Sequence, residues 1–164
     1  MGGDAPGIAD VHVRSWQVAY RGLIDQDFLD RLSLSEHLSM WRHRFEAADP
    51  ELHVLVAEAG GELIGFSSFG PSRDGDAGVS TAEVYAIYLA PEWFGTGVGR
   101  RLFDRTADVL GGLGFRDSTL WVLEVNDRAR RFYGAAGWRW DGARSVHADA
   151  GLTEPILRYR RALP

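Results

Sequence analysis

The segment Ala90–Leu102, APEWFGTGVGRRL, joins two stretches of the chain that have different periodicities. The preceding stretch, Thr81–Leu89, is rich in β-branched and aromatic residues, which predicts a strand. The following stretch is amphipathic from about Gly97 to Leu113, which predicts a helix. Glycines at alternate positions of the junction therefore mark a strand-to-helix turn whose backbone is largely free of side chains.

This turn, called the glycine turn below, spans Gly95–Gly99 and has the chemistry of an anion site. The first turn of a helix carries unpaired N–H groups and a partial positive charge, and glycine lets a ligand approach that backbone closely. With Arg100 and Arg101 adding positive charge, the segment predicts a phosphate cradle. It matches neither the dinucleotide fingerprint G-x-G-x-x-G nor a phosphate loop ending in Gly-Lys-Ser/Thr. A flexible turn without a ligand is the alternative that the residues alone leave open.

The composition of the whole chain bounds its class. Its 164 residues suit one domain, residues 1–164, and 45% of them are hydrophobic, as in ordinary globular proteins. The net charge of -5 argues against a general affinity for nucleic acid. The absence of cysteine excludes disulfides, thiol catalysis and thiolate metal sites. No apolar run approaches the roughly 20 residues of a membrane span, and the start lacks a signal-peptide pattern, so we expect a cytoplasmic protein.

The remaining periodicities predict an α/β fold, with a mixed sheet and helices on its faces. Helices are predicted near residues 5–20, 27–32, 35–47 and 126–136, with Asp4, Ser35 and Asn126 as caps. Further strands are predicted at residues 53–58, 63–69, 118–125, 138–141 and 157–161, with a hairpin turn at Gly60-Gly61. Residues 71–80 are polar and glycine-rich, which predicts a loop.

Two segments of the chain resemble the GNAT superfamily of acyl-CoA-dependent N-acetyltransferases. Tyr85–Phe103, YAIYLAPEWFGTGVGRRLF, resembles the family's strand, Pro-containing turn and Arg/Gln-x-x-Gly-x-Gly/Ala helix start. Asn126–Trp138, NDRARRFYGAAGW, is similar to its Asn-x-x-Ala-x-x-Phe-Tyr-x-x-x-Gly-Phe segment. Together with HVRSWQVAYRGL at His12–Leu23, the resemblance covers nearly the whole chain. It implies a central, mostly antiparallel sheet with helices on both faces, splayed between its two central strands.

The chain departs from the family pattern in two places. Phe94 stands where the family usually has Arg or Gln, which removes one side-chain contact to a pyrophosphate but leaves the backbone donors. The family normally has a strand before its first helix, and this sequence has only MGGD there. We therefore expect that strand to be missing, short or supplied otherwise.

The resemblance implies transfer of an acetyl group from acetyl-CoA to an amine by direct attack in a ternary complex. Tyr133 matches the family's general acid, and the alternative is an aromatic that packs beside Phe132. Glu83 is the candidate base, directly or through water, and the alternative is a solvated carboxylate near a strand end. A backbone N–H near Ile87 is the implied donor to the thioester oxygen. His53 and His147 are lesser candidates for the base.

The resemblance also implies where the two substrates bind. The residues implied in cofactor binding, mostly through their backbone, are Ile87, Leu89, Gly95, Thr96, Gly97, Val98, Gly99, Arg100 and Asn126. The candidate walls of the acceptor pocket are Trp16, Tyr20, Trp41, Phe69 and Tyr85. Core packing is the alternative for all of them, and helical spacing favours it for Trp16 and Trp41. Asp25 and Asp27 are further acids that would attract a cationic amine.

Other functional classes fit the sequence less well. A catalytically silent CoA-binding or structural module is the main alternative to an enzyme, and transfer of a different acyl group is another. The expected acceptor is the amine of a small molecule, a peptide or a protein, without nucleic acid or membrane as partners. No metal is expected, because the five histidines do not cluster with carboxylates at ligand spacing. Edge strands near the C-terminus favour a homodimer.

Overall fold

The computed structural model describes residues 2–146 and 153–164, and His147 lies outside them. Within these ranges the α-helices α1 to α5 cover Ala5–Ala19, Gln26–Asp30, Leu34–Glu46, Val98–Gly112 and Asp127–Ala135. The strands β1 to β6 cover His53–Ala59, Glu62–Pro71, Thr81–Leu89, Asp117–Leu123, Arg139–Val146 and Pro155–Ala162. None of the described helices combines the length and the apolar character that crossing a bilayer requires.

The strands form a six-stranded, mostly antiparallel sheet in the order β1-β2-β3-β4-β6-β5. Three neighbouring pairs are antiparallel, namely β1 with β2, β4 with β6, and β5 with β6. β3 and β4 run parallel, and their pairing covers Thr81–Glu83 opposite Asp117–Thr119 although both strands continue beyond it. The mixed sheet that the sequence predicts is confirmed, and the short parallel pairing is the splay between its central strands.

The chain divides into two compact units. The N-terminal unit comprises Met1–Phe69 and Ala86–Phe103, and the C-terminal unit comprises Gly70–Tyr85 and Asp104–Pro164. In the N-terminal unit, alternate residues of β3 join different apolar clusters. Ala86 and Tyr88 pack against a cluster formed by Ala5, Ile8, Ala9, Val11, Trp41, Phe66 and Ala90. Ile87 and Leu89 belong with Ile64, Val98 and Leu102 of a second cluster, so helices cover both faces of this unit's strands.

The C-terminal unit is held by side chains on paired strands. In the β4–β6 register, Leu120 lies opposite Tyr159 and Val122 lies opposite Leu157, and all four are buried. Trp138, just before β5, is 1% exposed. Burying a large apolar side chain stabilises a fold by about 1.5–3 kcal/mol, so these positions anchor the unit.

Of the three helix caps that the sequence predicts, the structure confirms one and contradicts two. Asn126 caps α5, because its Oδ1 accepts a hydrogen bond from the backbone N–H of Ala129 at 3.0 Å. Ser35 is not the cap of α3, since Ser33 takes that position and accepts from the N–H of Glu36 at 3.3 Å. Asp4 precedes α1 but makes no side-chain cap hydrogen bond, because its backbone already has helical angles. The closing strands are longer than predicted, at eight residues each.

Candidate functional site

The glycine turn lies between β3 and α4 in the N-terminal unit. Gly95 and Gly97 have φ angles of +77° and +86°, a left-handed conformation that residues with a Cβ rarely adopt. A Cβ placed on either glycine would meet no atom within 4 Å, so the space in front of the backbone is open. The first residues of α4, Val98 and Gly99, follow at once, and the N–H groups at the start of a helix have no carbonyl of the same helix to bind. The turn therefore fits a phosphate group held by backbone donors.

The side chains around the glycine turn contribute to packing and charge. Phe94 packs against the apolar cluster of Ile64, Leu89, Val98 and Leu102, which explains why this position holds an apolar residue. Thr96 is turned into the loop, because its hydroxyl donates to the Trp93 carbonyl at 2.7 Å. Arg100 and Arg101 are exposed on the first turn of α4 and add positive charge there.

Ile87 and Leu89 place their side chains in the same apolar cluster, which matches the core alternative for these side chains. Their predicted role in holding a pantetheine arm depends on backbone groups alone and is compatible with that packing. Asn126 is 8% exposed, and its side-chain oxygen is already used as the cap of α5. A contact between Asn126 and a cofactor would therefore come from its amide nitrogen or its backbone.

Glu83 lies in the C-terminal unit with a guanidinium on its carboxylate. Its Oε1 accepts from the NH2 of Arg73 at 2.6 Å, and its Oε2 accepts from the Nε and the backbone N–H of Arg73 at 3.2 and 3.0 Å. Arg73 also lies over the ring of Tyr85, 4.2 Å from the centroid. The Tyr85 hydroxyl donates to the Pro71 carbonyl at 2.6 Å. Glu83 and Tyr85 thus face the same side of β3, as strand alternation predicts.

Arg73 is a functional candidate that the sequence analysis missed. It lies in the segment 71–80, which the sequence predicts only as a polar loop. The signal that could have found it is the position of Glu83 on a face of β3 that is buried. A buried carboxylate requires a cation or several hydrogen-bond donors nearby. The nearest basic residue before Glu83 along the chain is Arg73.

Tyr133 lies near the end of α5, half-buried, beside two aromatic rings of the C-terminal unit. Its ring centroid is 5.4 Å from that of Phe132 and 6.4 Å from that of Tyr159. The Tyr159 hydroxyl accepts from the Nε of Arg130 at 3.3 Å. The helix thus presents the Tyr133 hydroxyl next to packed aromatic rings. This arrangement fits either a packing role for Tyr133 or proton donation by its hydroxyl.

Several aromatic rings of the N-terminal unit surround His12, among them those of Trp16 and Trp41. The His12 ring stacks on Tyr88 at 5.0 Å, and its Nδ1 accepts from the Nε1 of Trp41 at 3.3 Å. Burial, followed by the charges of His37 and Arg44, lowers the pKa of His12 to about 3. His12 is therefore a neutral core residue at physiological pH.

The other candidates for the acceptor pocket have unequal surroundings. Trp16 and Tyr20 are half-buried, with their ring centroids 4.9 Å apart, and the Tyr20 hydroxyl lies 3.5 Å from that of Tyr88. Phe69 is 1% exposed and stacks on His53 at 5.7 Å, so its ring belongs to the core. Asp25 is the cap of α2 and accepts from the N–H of Phe28 at 2.8 Å.

Metal ligation has no geometric support in the described ranges. No group of three or more histidines, aspartates or glutamates lies close enough together to hold an ion among residues 2–146 and 153–164.

Comparisons with known proteins agree with the resemblance. The model of the Acetyltransferase (GNAT) family matches residues 14–138. An uncharacterized N-acetyltransferase, YuaI of Bacillus subtilis, is 38% identical over 124 residues, which are 75% of this chain and 68% of YuaI. The structure of yncA, a putative acetyltransferase from Salmonella typhimurium with its cofactor acetyl-CoA, has a TM-score of 0.72 at 22% identity, covering 100% of this chain and 91% of that one. PaiA N-acetyltransferase from Thermoplasma acidophilum, in complex with coenzyme A, has a TM-score of 0.72 at 20% identity, covering 98% and 94%.

Proposed function

We propose that this chain, which belongs to the Acetyltransferase (GNAT) family and is an acyl-CoA-dependent N-acetyltransferase, holds the pyrophosphate of acetyl-CoA at its glycine turn. The observation that carries the proposal is the left-handed backbone of Gly95 and Gly97, with open space where a side chain would stand. The N–H groups of Gly95 to Arg100 are the proposed donors, with the weakest contribution from Thr96, whose N–H already points to Trp93 at 3.4 Å. The silent-module alternative is not favoured, because the similar proteins are named N-acetyltransferases.

When bound, acetyl-CoA supplies a thioester that an amine can attack directly. We assign to Tyr133 the proton that the departing sulfur takes up, since it matches the Phe-Tyr pair of the family. A tyrosine of pKa about 10 can donate to a thiolate whose thiol has a pKa of about 8.5. The backbone N–H near Ile87 is the proposed donor to the thioester oxygen, a contribution worth roughly 3–4 kcal/mol in other enzymes.

The attacking amine must lose a proton, because a primary ammonium has a pKa of about 10.4. Glu83 is the proposed acceptor of that proton, directly or through a water molecule. Its carboxylate is buried and fixed by Arg73, which supports a defined position and leaves the choice between direct and water-mediated transfer open. Trp16, Tyr20, Phe69 and Tyr85 stay the proposed walls for the acceptor, with Phe69 acting only through packing. A single domain over residues 1–164, a cytoplasmic location and a homodimer also stay proposals.

Titration calorimetry with acetyl-CoA tests the proposal most directly, with free CoA and NADH as controls. We expect acetyl-CoA and CoA to bind and NADH not to bind, because the turn departs from the dinucleotide fingerprint. A folded protein that binds none of the three would remove the glycine turn from cofactor binding. Once binding is established, a panel of amines with thiol detection measures turnover.

A further inference from the structure

Two side chains on β3, those of Glu83 and Tyr85, together bind the guanidinium of Arg73 in the C-terminal unit. The guanidinium of Arg73 reaches both carboxylate oxygens of Glu83, through NH2 at 2.6 Å and Nε at 3.2 Å. The same group lies 4.2 Å from the centroid of the Tyr85 ring. A planar fork paired with a carboxylate and stacked on an aromatic face is a strong way to recognise a guanidinium. The carboxylate of Glu83 and the ring of Tyr85 are called the guanidinium seat below.

Arg73 covers this seat from the solvent side. Its side chain is 65% exposed, whereas that of Glu83 is 5% exposed. Water screens the Arg73 side of the pair, whereas a Glu83 carboxylate without a cation would be costly because it is buried. The seat is therefore open to exchange, in which an incoming guanidinium takes the place of the Arg73 side chain while the backbone N–H of Arg73 keeps its hydrogen bond to Glu83 at 3.0 Å.

The loop that carries Arg73 is fixed independently of the Arg73 side chain. The carboxylate of Asp74 accepts from the Nε1 of Trp121 at 3.0 Å and from the NH1 of Arg158 at 3.1 Å. Asp76 binds both terminal nitrogens of Arg158, at 2.6 and 2.8 Å. These contacts hold the backbone on the C-terminal side of Arg73 in place. The side chain can therefore leave the seat while the loop stays where it is.

We propose that the guanidinium seat binds a guanidinium group of the amine acceptor, which replaces the guanidinium of Arg73. This inference rests on the proposed acetyl transfer and narrows the acceptor class to amines that also carry a guanidinium group. Glu83 then acts as the anion that anchors the acceptor. Because the carboxylate of Glu83 is then paired with a guanidinium, the proton of the attacking amine passes to a water molecule and from there to the solvent, and Glu83 positions the acceptor instead of accepting this proton. Arg73 limits the affinity for such acceptors, because each one must displace it.

The test is a binding measurement without acetyl-CoA, so it does not depend on acetyl transfer. Agmatine carries a primary amine and a guanidinium, and N-carbamoylputrescine has a neutral urea in the same place. We expect Arg73→Ala to bind agmatine about tenfold more tightly than the unchanged protein in calorimetric titration, because the displacement is removed. The urea compound should bind weakly to both. Arg144→Ala is the matched control, since it removes an exposed arginine paired with Glu124 and should change the affinity by less than twofold.

Equal agmatine affinity in the unchanged protein and in Arg73→Ala would overturn the proposal, and so would urea binding as tight as agmatine binding. If Arg73→Ala does not fold, Arg73→Gln keeps a donor for Glu83, and the same tightening is expected at a smaller size. Glu83→Gln should weaken agmatine binding at least tenfold while acetyl-CoA binding stays unchanged. If the unchanged protein does not bind acetyl-CoA, that result counts against the proposed function instead. Failure of the guanidinium seat and failure of the proposed function are therefore distinguishable.

Discussion

In the first half of β3, Glu83 and Tyr85 meet Arg73 through their side chains, whereas the second half leads into a turn where Gly95 and Gly97 leave only backbone. The left-handed angles of the turn are an intrinsic property of glycine, so a sequence reveals them locally. The pairing of Glu83 depends on a residue ten positions away that the fold brings to it. The backbone site can therefore be predicted from the sequence, whereas the side-chain pairing depends on tertiary contacts that only the fold shows.

The largest expected effect breaks the side-chain network of the C-terminal unit. Arg158 has 8% of its side chain exposed and binds Asp74 and Asp141, whose side chains are 15% and 16% exposed. Arg158→Met leaves Asp74 without this cation and leaves Asp141 with Arg160 alone, at 3.4 Å, and should lower the free energy of unfolding by about 3 kcal/mol. Urea denaturation measures it, with the exposed Arg144→Met as control. A loss below about 1 kcal/mol would show that water replaces the cation and that the network is not essential.

The same contrast explains how far the sequence predicted the fold. Asn126 was predicted as a cap because it is followed by the first turn of an amphipathic run, and this signal is local. Ser35 was predicted as the cap of α3, but the helix already begins at Leu34, so that Ser33 takes the cap position. The length of β5 was underestimated because seven of its eight residues are exposed, so that no alternation of apolar and polar residues marks the strand.

The candidate site divides in the same way. The glycine turn could be predicted as an anion site, because its angles and its helix start follow from glycine and from backbone geometry. Arg73 and Arg158 could not, because their partners Glu83, Asp74 and Asp141 lie on other elements of the chain. A sequence shows that an inward carboxylate requires a partner, but only the fold shows which residue supplies it.

The next largest effect tests a single hydroxyl on α5. Tyr133→Phe should lower turnover about 100-fold, because general acid catalysis typically contributes at least that factor. The affinity for acetyl-CoA should stay nearly unchanged, since the ring and its packing on Phe132 are kept. Steady-state kinetics and calorimetry measure the two quantities. Tyr159→Phe, which removes a neighbouring hydroxyl that binds Arg130, is the matched control. An unaffected rate in Tyr133→Phe would remove this residue from the mechanism.

A third test concerns His12, a half-buried side chain whose ring lies among the rings of Trp41, Phe66 and Tyr88. Its pKa is lowered from 6.5 to about 3 by burial and by His37 and Arg44. The unfolded chain therefore takes up a proton below pH 6.5 that the folded chain refuses, so stability falls as the pH decreases. As the pH falls from 7.5 to 5, this histidine should lower the free energy of unfolding by about 2 kcal/mol.

Chemical denaturation at the two pH values measures this loss. His12→Asn keeps an acceptor for Trp41 and should flatten the dependence on pH, although the variant itself is less stable. His43→Asn, at an exposed position of α3, is the control and should keep the original dependence. If the unchanged protein and His12→Asn lose the same free energy of unfolding between the two pH values, another group controls the loss of stability at low pH.

The backbone half of the comparison is tested by Gly97→Val. Valine at a φ of +86° strains the chain, and its methyl groups enter the open space in front of the turn. We expect the affinity for acetyl-CoA to fall about tenfold. Gly61→Val is a closely matched control, because Gly61 also has a φ of +86° and open space, but lies in the β1–β2 turn. It should cost similar stability without changing the affinity, and equal losses of affinity in both variants would place the pyrophosphate elsewhere.

The smallest effect adds a side-chain contact to the backbone site. Phe94→Arg restores the type of residue that the family usually has at this position, next to donors that already serve the phosphate. We expect acetyl-CoA to bind about threefold more tightly at low salt, and the gain to disappear at high salt because the added charge is screened. Stability should fall by about 1 kcal/mol, since Phe94 packs against the cluster of Leu89 and Leu102. Phe94→Gln keeps the polar character without the charge, so a salt-independent gain in both variants would attribute the effect to lost packing rather than to charge. Tighter binding only in the arginine variant would show that backbone donors leave part of the phosphate charge uncompensated, and that a side chain can supply the rest.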